Sequence, residues 1–311
     1  MAGEFKLNHP WLVAVWPGMG HVASTGGYYL LAKLGMHLLA EFSPNALFDF
    51  EHVEVNNGLI RMGRLPRSRF FVWIDPKKER DIVVFIGEAQ PATGKYAFCR
   101  QLTEYAKSLG VERVFTFAAM ATQMHPEHDS RVFAAATDVE NLAELTRLQL
   151  ELLEDGHIGG LNGVLLGVAA ESGIHGTCLL GEMPHIFAQL PFPKATLAVL
   201  KVFTKIANID IDFSELTQQA RAVDEELGKL LARVERGYEE AESNEEEEFQ
   251  AEPSDEAKLT PENERRIEDL FDQARLDRSK AYELKRELDR LNVFADYENR
   301  FLDLFKKPES E

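Results

Sequence analysis

Four apolar runs in this chain end in glycine-bearing turns: Pro17-Gly18-Met19-Gly20, Gly87-Glu88-Ala89-Gln90-Pro91, Gly159-Gly160-Leu161-Asn162-Gly163 and Gly181-Glu182-Met183-Pro184. Short apolar runs separated by stretches of helical period read as the strands of an open α/β sheet. The carboxyl ends of such strands are where the chain turns tightly and where ligands or partners dock. The pattern builds one surface, at one edge of a sheet. It spells out no reaction.

Periodicity extends the reading. Leu12 to Trp16 is a short buried strand and Gly20 to Leu39 a helix. Phe48 to His52, Gly58 to Met62 and Phe70 to Ile74 read as a strand meander, and Asp81 to Ile86 as another buried strand. A helix from Gly94 to Leu109 is stopped by Gly110. Strands follow at Arg113 to Ala118 and Arg131 to Ala136, and Asp138 caps a helix running to Leu153. Gly163 to Ala170 is a short helix, His175 to Leu180 a strand and Lys194 to Ala207 a helix. This alternation predicts a three-layer α/β/α domain over residues 1–212. Beyond it, residues 213–238 form one long helix with Leu216, Ala220, Val223, Leu227, Leu230 and Val234 on an apolar seam. Residues 239–259 contain four consecutive glutamates, Glu245 to Glu248, and almost no large apolar side chain, so they read as a flexible acidic linker. Residues 260–307 are a helical segment, opened by Thr260-Pro261 and helical to Leu291, with a last piece from Phe294 to Phe305.

Composition bounds the function. A 45% hydrophobic content over 311 residues supports a substantial core. Of the 52 acids and 34 bases, residues 214–311 hold 29 and 16, leaving 23 and 18 for residues 1–213. The net charge of −18 therefore divides into −13 and −5, and the acidity belongs mainly to the C-terminal third. Such a surface repels phosphate backbones, so nucleic acid is not an expected partner. The one basic set is Arg61, Arg64, Arg67 and Arg69, suited to a carboxylate or a phosphate, or simply a hydrophilic loop. Cys99 and Cys178 have no metal or redox spacing and sit in apolar stretches, as reduced buried thiols do. No leader-like segment and no apolar run near the roughly 20 residues of a membrane span occur. A cytoplasmic, soluble protein is the expectation.

The chemical motifs each meet a plainer reading. Gly18-Met19-Gly20-His21-Val22-Ala23 satisfies a loose dinucleotide fingerprint, but Pro17 intrudes and Asp49 and Glu51 come too late to close it. Gly87 to Tyr96 resembles a phosphate loop with the wrong spacing, and Tyr96 stands where a hydroxyl for Mg²⁺ belongs. Glu88 and Gln90 at a strand end are placed to orient a small ligand or move a proton. His125-Pro126-Glu127-His128-Asp129 has metal-ligating residue types in a proline-containing loop that reads as solvated. No G-x-S-x-G elbow is present. Neither a catalytic constellation, a metal site nor a cofactor is expected.

Taken in order, Trp16-Pro17-Gly18-Met19-Gly20, Arg64-Leu65-Pro66, Ile86 to Pro91, Ala135-Ala136-Thr137, Gly160 to Leu166 and Gly181 to Pro184 resemble the proteasome assembly chaperone 2 family, over about residues 10–220. Ala295 to Leu302 resembles the C-terminal helical extension of bacterial members. The resemblance implies an α/β/α sandwich similar to that of purine nucleoside phosphorylases, without the phosphorylase catalytic pattern, and a scaffold that associates with itself. Archaeal relatives that dock on proteasomes use a hydrophobic-Tyr-any tail. This chain reads Pro308-Glu309-Ser310-Glu311, so docking by that route is not expected.

Two functional readings follow. The first is a non-enzymatic, homo-oligomeric assembly factor or chaperone-like interaction protein with a protein client or partner. The second is a small-molecule protein or enzyme, its ligand nucleotide-like or amino-acid-like, using one strand-end crevice lined by Gly18, Gly20, Arg64, Arg67, Glu88, Gln90, Asn162, Gly163 and Glu182.

Overall fold

The computed structural model describes residues 6–44, 47–50, 53–243, 260–291 and 293–306. Its centre is strand β1 (Trp11–Val15), whose five side chains are all buried. An apolar run without alternation is what a strand needs when helices cover both faces of its sheet. β1 pairs in parallel with β6 (Ile82–Gly87) on one side and β7 (Arg113–Thr122) on the other. β10 (His175–Pro184) continues the parallel set beyond β7. Antiparallel strands extend both flanks, β5 (Ser68–Trp73) and β2 (His37–Phe42) beside β6, β8 (Val132–Ala136) beside β10. A two-residue strand, β9 (Glu151–Leu152), ends the sheet in the order β2-β5-β6-β1-β7-β10-β8-β9. The ends of β6, β1, β7 and β10 and the starts of β5 and β8 consequently share one edge.

The helices form layers because their apolar residues recur on one face. α2 (Lys95–Ser108) buries Phe98, Cys99, Leu102 and Ala106, and with α4 (Gly160–Glu171) closes one core against the sheet. α1 (Val22–Lys33) and α5 (Pro193–Ala207) close the other. Asp138 accepts from Asn141 N and caps α3 (Val139–Arg147). That second core is shared with α6 (Ser214–Ser243) and with α7 (Pro261–Leu276), α8 (Ala281–Arg290) and α9 (Phe294–Asp303). Tyr29 shows the join: its ring stacks on Phe213 at 6.0 Å and meets Tyr282 edge-on at 4.5 Å. Leu38 N of β2 donates to Phe305 O at 2.6 Å. Leu216, Ala220 and Leu227 of the expected seam are buried here, whereas the Leu230 and Val234 side chains lie outside the described residues.

Several expected boundaries are corrected. The helix expected to Leu39 stops at Lys33, because Gly35 (φ 58°) turns the chain and Leu38 to Ala40 join an edge strand. Phe48 to Phe50 are not a strand, and residues 51–52 lie outside the described residues. Pairing begins at β3 (Val53–Asn56), which forms an isolated hairpin with β4 (Leu59–Met62). Asn57 and Gly58, at φ 51° and 78°, make the two-residue turn that matches strand twist. The Asp138 helix ends at Arg147 rather than Leu153, α4 starts three residues before Gly163, and β7 and β10 run on to Thr122 and Pro184. The single helix expected to Leu291 breaks after Leu276, where Asp277 adopts extended backbone and caps a new turn through Ser279 N. Helix α6 carries five residues into the expected linker, and the remainder, 244–259, lies outside the described residues. Among the described residues no helix is long and apolar enough to cross a membrane.

Candidate functional site

The nine candidate residues stand on the strand-end edge, but not around one crevice. Glu88, just past β6, is held from two sides. Arg64 Nη1 donates to its Oε2 at 2.5 Å and Arg67 N to the same oxygen at 2.8 Å. Arg69 Nη1 lies 3.6 Å from Oε1. The Arg67 contribution is thus its backbone amide, not its guanidinium. Near the end of β10, Glu182 is 2% exposed and fully engaged. It accepts from Thr122 Oγ1 at 2.7 Å and from Arg131 Nε and Nη2 at 2.8 and 2.7 Å. Those Arg131 bonds hold the Glu182 carboxyl below the usual carboxylate range, against the opposing pull of burial. Both carboxylates face arginine guanidinium groups.

Gln90 braces two loops, accepting from Leu161 N at 3.0 Å while its Nε2 reaches Pro17 O at 3.4 Å. The expected helix start at Gly20 is corrected: α1 begins at Val22, and Gly20 N donates to Ala188 O at 3.1 Å, so this amide does not face a ligand. Gly20 (φ 61°) packs on Met183, whose Sδ would lie 2.6 Å from an added Cβ. Gly163 is equally tight, with Ile158 O 2.0 Å from such a Cβ. Gly18 and Asn162, by contrast, line a cavity of about 200 Å³ between the ends of β1 and β7, closed by the start of α4. Two polar atoms of its lining residues are shielded from solvent without a partner, Trp16 Nε1 and Asn162 Oδ1. A buried polar group left unpaired costs about 1–3 kcal/mol.

Arg69, one of the basic set read from the sequence, faces the Glu88 carboxylate, whereas sequence reasoning missed Thr122, Arg131 and the C-terminal contribution to the Glu88 cluster. Tyr28 OH donates to Glu298, and Arg69 Nη2 donates to Asn299 Oδ1 at 2.8 Å. Burial first, then the nearby Glu88 charge, pushes the Glu298 carboxyl up. Arg69, on β5, is buried and reaches Glu41 as well as Glu88 and Asn299. The His125 to Asp129 loop is pinned by Lys194 Nζ, which donates to Pro126 O at 2.6 Å and His128 O at 3.0 Å. Burial pushes the thiols up, to about 12 for Cys99 and about 11 for Cys178, as suits unreactive core residues.

The β3–β4 hairpin carries an apolar face that nothing among the described residues covers. Its cross-strand pairs Val53–Met62 and Val55–Ile60 put four apolar side chains on one face, and Glu54–Arg61 on the other. The four are 46, 60, 68 and 72% exposed for Val53, Met62, Val55 and Ile60.

The PAC2 family model matches residues 12–231. The chain belongs to the PAC2 family. Among solved structures it is similar to Pyrococcus furiosus PbaB, an archaeal proteasome activator, at 27% identity and a TM-score of 0.61, over 72% of this chain and 94% of that one. A PAC2 family protein of Streptomyces avermitilis gives 27% identity and 0.61, over 71% and 95%. A relative of Methanocaldococcus jannaschii, the uncharacterized protein MJ1210, is 26% identical over 72% of this chain and 84% of its own length. The PAC2 match ends before α7, so the helices bearing Glu298 and Asn299 lie beyond it.

Proposed function

We propose that this PAC2 protein is a homo-oligomeric, chaperone-like assembly factor that works without a chemical step, and that the β3–β4 arm is its contact with a second copy. Family membership supports the assembly role, as do neighbours described as a proteasome activator and a proteasome-assembly chaperone homologue. The carrying observation is the apolar face of Val53, Val55, Ile60 and Met62 in water. A lone two-stranded hairpin is marginal by itself, and an apolar patch of this kind marks an interaction site. Residues 53–62 carry one arginine and one glutamate, so the face offers apolar rather than ionic contact, and a second copy presents the same apolar face for a self-complementary seam. Light scattering tests the proposal. The wild type should be oligomeric at micromolar concentration, and Val55→Asp with Ile60→Asp should yield monomers that keep the wild-type circular dichroism, because both side chains are exposed in the single chain. A wild-type monomer would remove the self-association.

A further inference from the structure

The β3–β4 arm has a root, and the root is built around one carboxylate. After β4 ends at Met62, residues 63–67 run without regular structure until β5 rejoins the sheet at Ser68. Among the described residues, the hydrogen bonds that tie 63–67 to the sheet all meet at Glu88, the residue after β6. Arg64 Nη1 and Arg67 N donate to Oε2, and Glu88 N donates back to Arg67 O at 3.0 Å. Oε1 of the same carboxylate lies 3.6 Å from Nη1 of Arg69, whose Nη2 donates to Asn299 Oδ1 of α9. The Glu88 side chain is 8% exposed, so salt screens these contacts little.

The arm depends on this root for its direction. β3 and β4 pair only with each other, so no ladder bond to the main sheet fixes the hairpin. Strands of four residues at about 3.4 Å each make an arm roughly 14 Å long, so about 20° of slack at the root moves its tip by about 5 Å, one strand spacing. Two copies that meet through Val53, Val55, Ile60 and Met62 lose their register at that displacement. We infer that Glu88 is the positioning residue of the arm. Its carboxylate fixes the direction in which the hairpin leaves the sheet, and so sets the strength of the contact with a second copy; the inference rests on the self-association proposed above. It gives the strand-end carboxylate a use that needs no substrate. Because α9 lies beyond the PAC2 match, the hold on Arg69 comes from this chain's C-terminal helices and not from the matched domain.

A nitroxide spin label on Glu54→Cys reads the arm directly, since Glu54 is exposed on the polar face of the hairpin and Cys99 and Cys178 are fully buried. Glu88→Gln keeps the shape and removes the charge, and Arg64→Met removes the donor from a side chain already 41% exposed. Both should speed the motion of the label, in dilute monomer as well as in the oligomer, and both should raise the dissociation constant measured by light scattering about tenfold. The double variant should loosen the arm no further than Glu88→Gln alone, because the two changes break one interaction. Glu182→Gln is the control: it removes another buried carboxylate away from the root, so it should lower stability and leave the label moving as in the wild type. Unchanged label motion in either root variant overturns the inference, as does equal loosening by Glu182→Gln. A wild type that never associates defeats the contact with a second copy, and the label in the monomer still decides whether Glu88 holds the arm.

Discussion

Replacing Phe301 by alanine should destabilise the whole protein, not only its C-terminal end. The ring is fully buried and meets Tyr28 of α1 at 5.6 Å edge-on, Phe294 at 5.6 Å and Phe305 at 5.7 Å. Phe→Ala at such a site costs about 3–5 kcal/mol through lost burial and the cavity left behind. Tyr28 belongs to the same buried cluster as Leu31, Phe71, Phe115 and Phe203, so the loss is felt where the sheet itself is covered. Urea unfolding followed by far-ultraviolet circular dichroism and by tryptophan emission should give coincident transitions, both shifted to lower urea. The tryptophans at 11, 16 and 73 report the sheet, while the helices dominate the circular dichroism. A tryptophan transition unmoved by the substitution, with an earlier helical transition split from it, would show that α7 to α9 are an appendage and refute the shared core.

Three further outcomes follow. Because the folded-state pKa of Glu298 is raised, its carboxyl favours folding below the unfolded pKa and disfavours it as pH rises through the folded value. Glu298→Gln should therefore gain relative stability from pH 4 to pH 8, and a constant difference across that range would contradict the burial argument. Glu182 has the opposite sign, its contribution present above the unfolded pKa and lost as pH falls through the depressed folded value. Arg131→Met should lower the melting temperature at pH 7, and thermal melts at pH 4 should show the loss shrinking. Gly20→Ala should lower stability by more than about 1 kcal/mol through its left-handed backbone and the Met183 clash, whereas Gly18→Ala should stay within about 0.5 kcal/mol; equal effects in chemical denaturation would count against the glycine assignment.

The parallel strands were legible because each is an apolar run between recognisable turns, DIVVFI and WLVAV above all. The α1–β2 boundary was not legible, since Leu38, Leu39 and Ala40 suit a helix as well as an edge strand and only the turn at Gly35 separates them. The break after Leu276 was hidden because both sides keep helical spacing. At the candidate site the glycine turns and Glu88, Gln90, Asn162 and Glu182 all fell on one edge, as turn chemistry dictates. Their partners did not show. Arg131 and Thr122 reach Glu182 from 51 and 60 residues away, and Asn299 reaches Arg69 from 230, and pairing across such distances leaves no local pattern. Of the hairpin only Gly58 to Met62 was read as a strand, and the structure supplies its partner β3 and shows the apolar face uncovered.

Amide hydrogen exchange of residues 53–62 at two protein concentrations tests the interaction reading most directly. If Val53, Val55, Ile60 and Met62 seat against a second copy, these amides should be protected at high concentration and should lose protection on dilution, in step with the fall in mass measured by light scattering. Fast exchange in this hairpin at both concentrations, in a sample that remains oligomeric, would contradict the account.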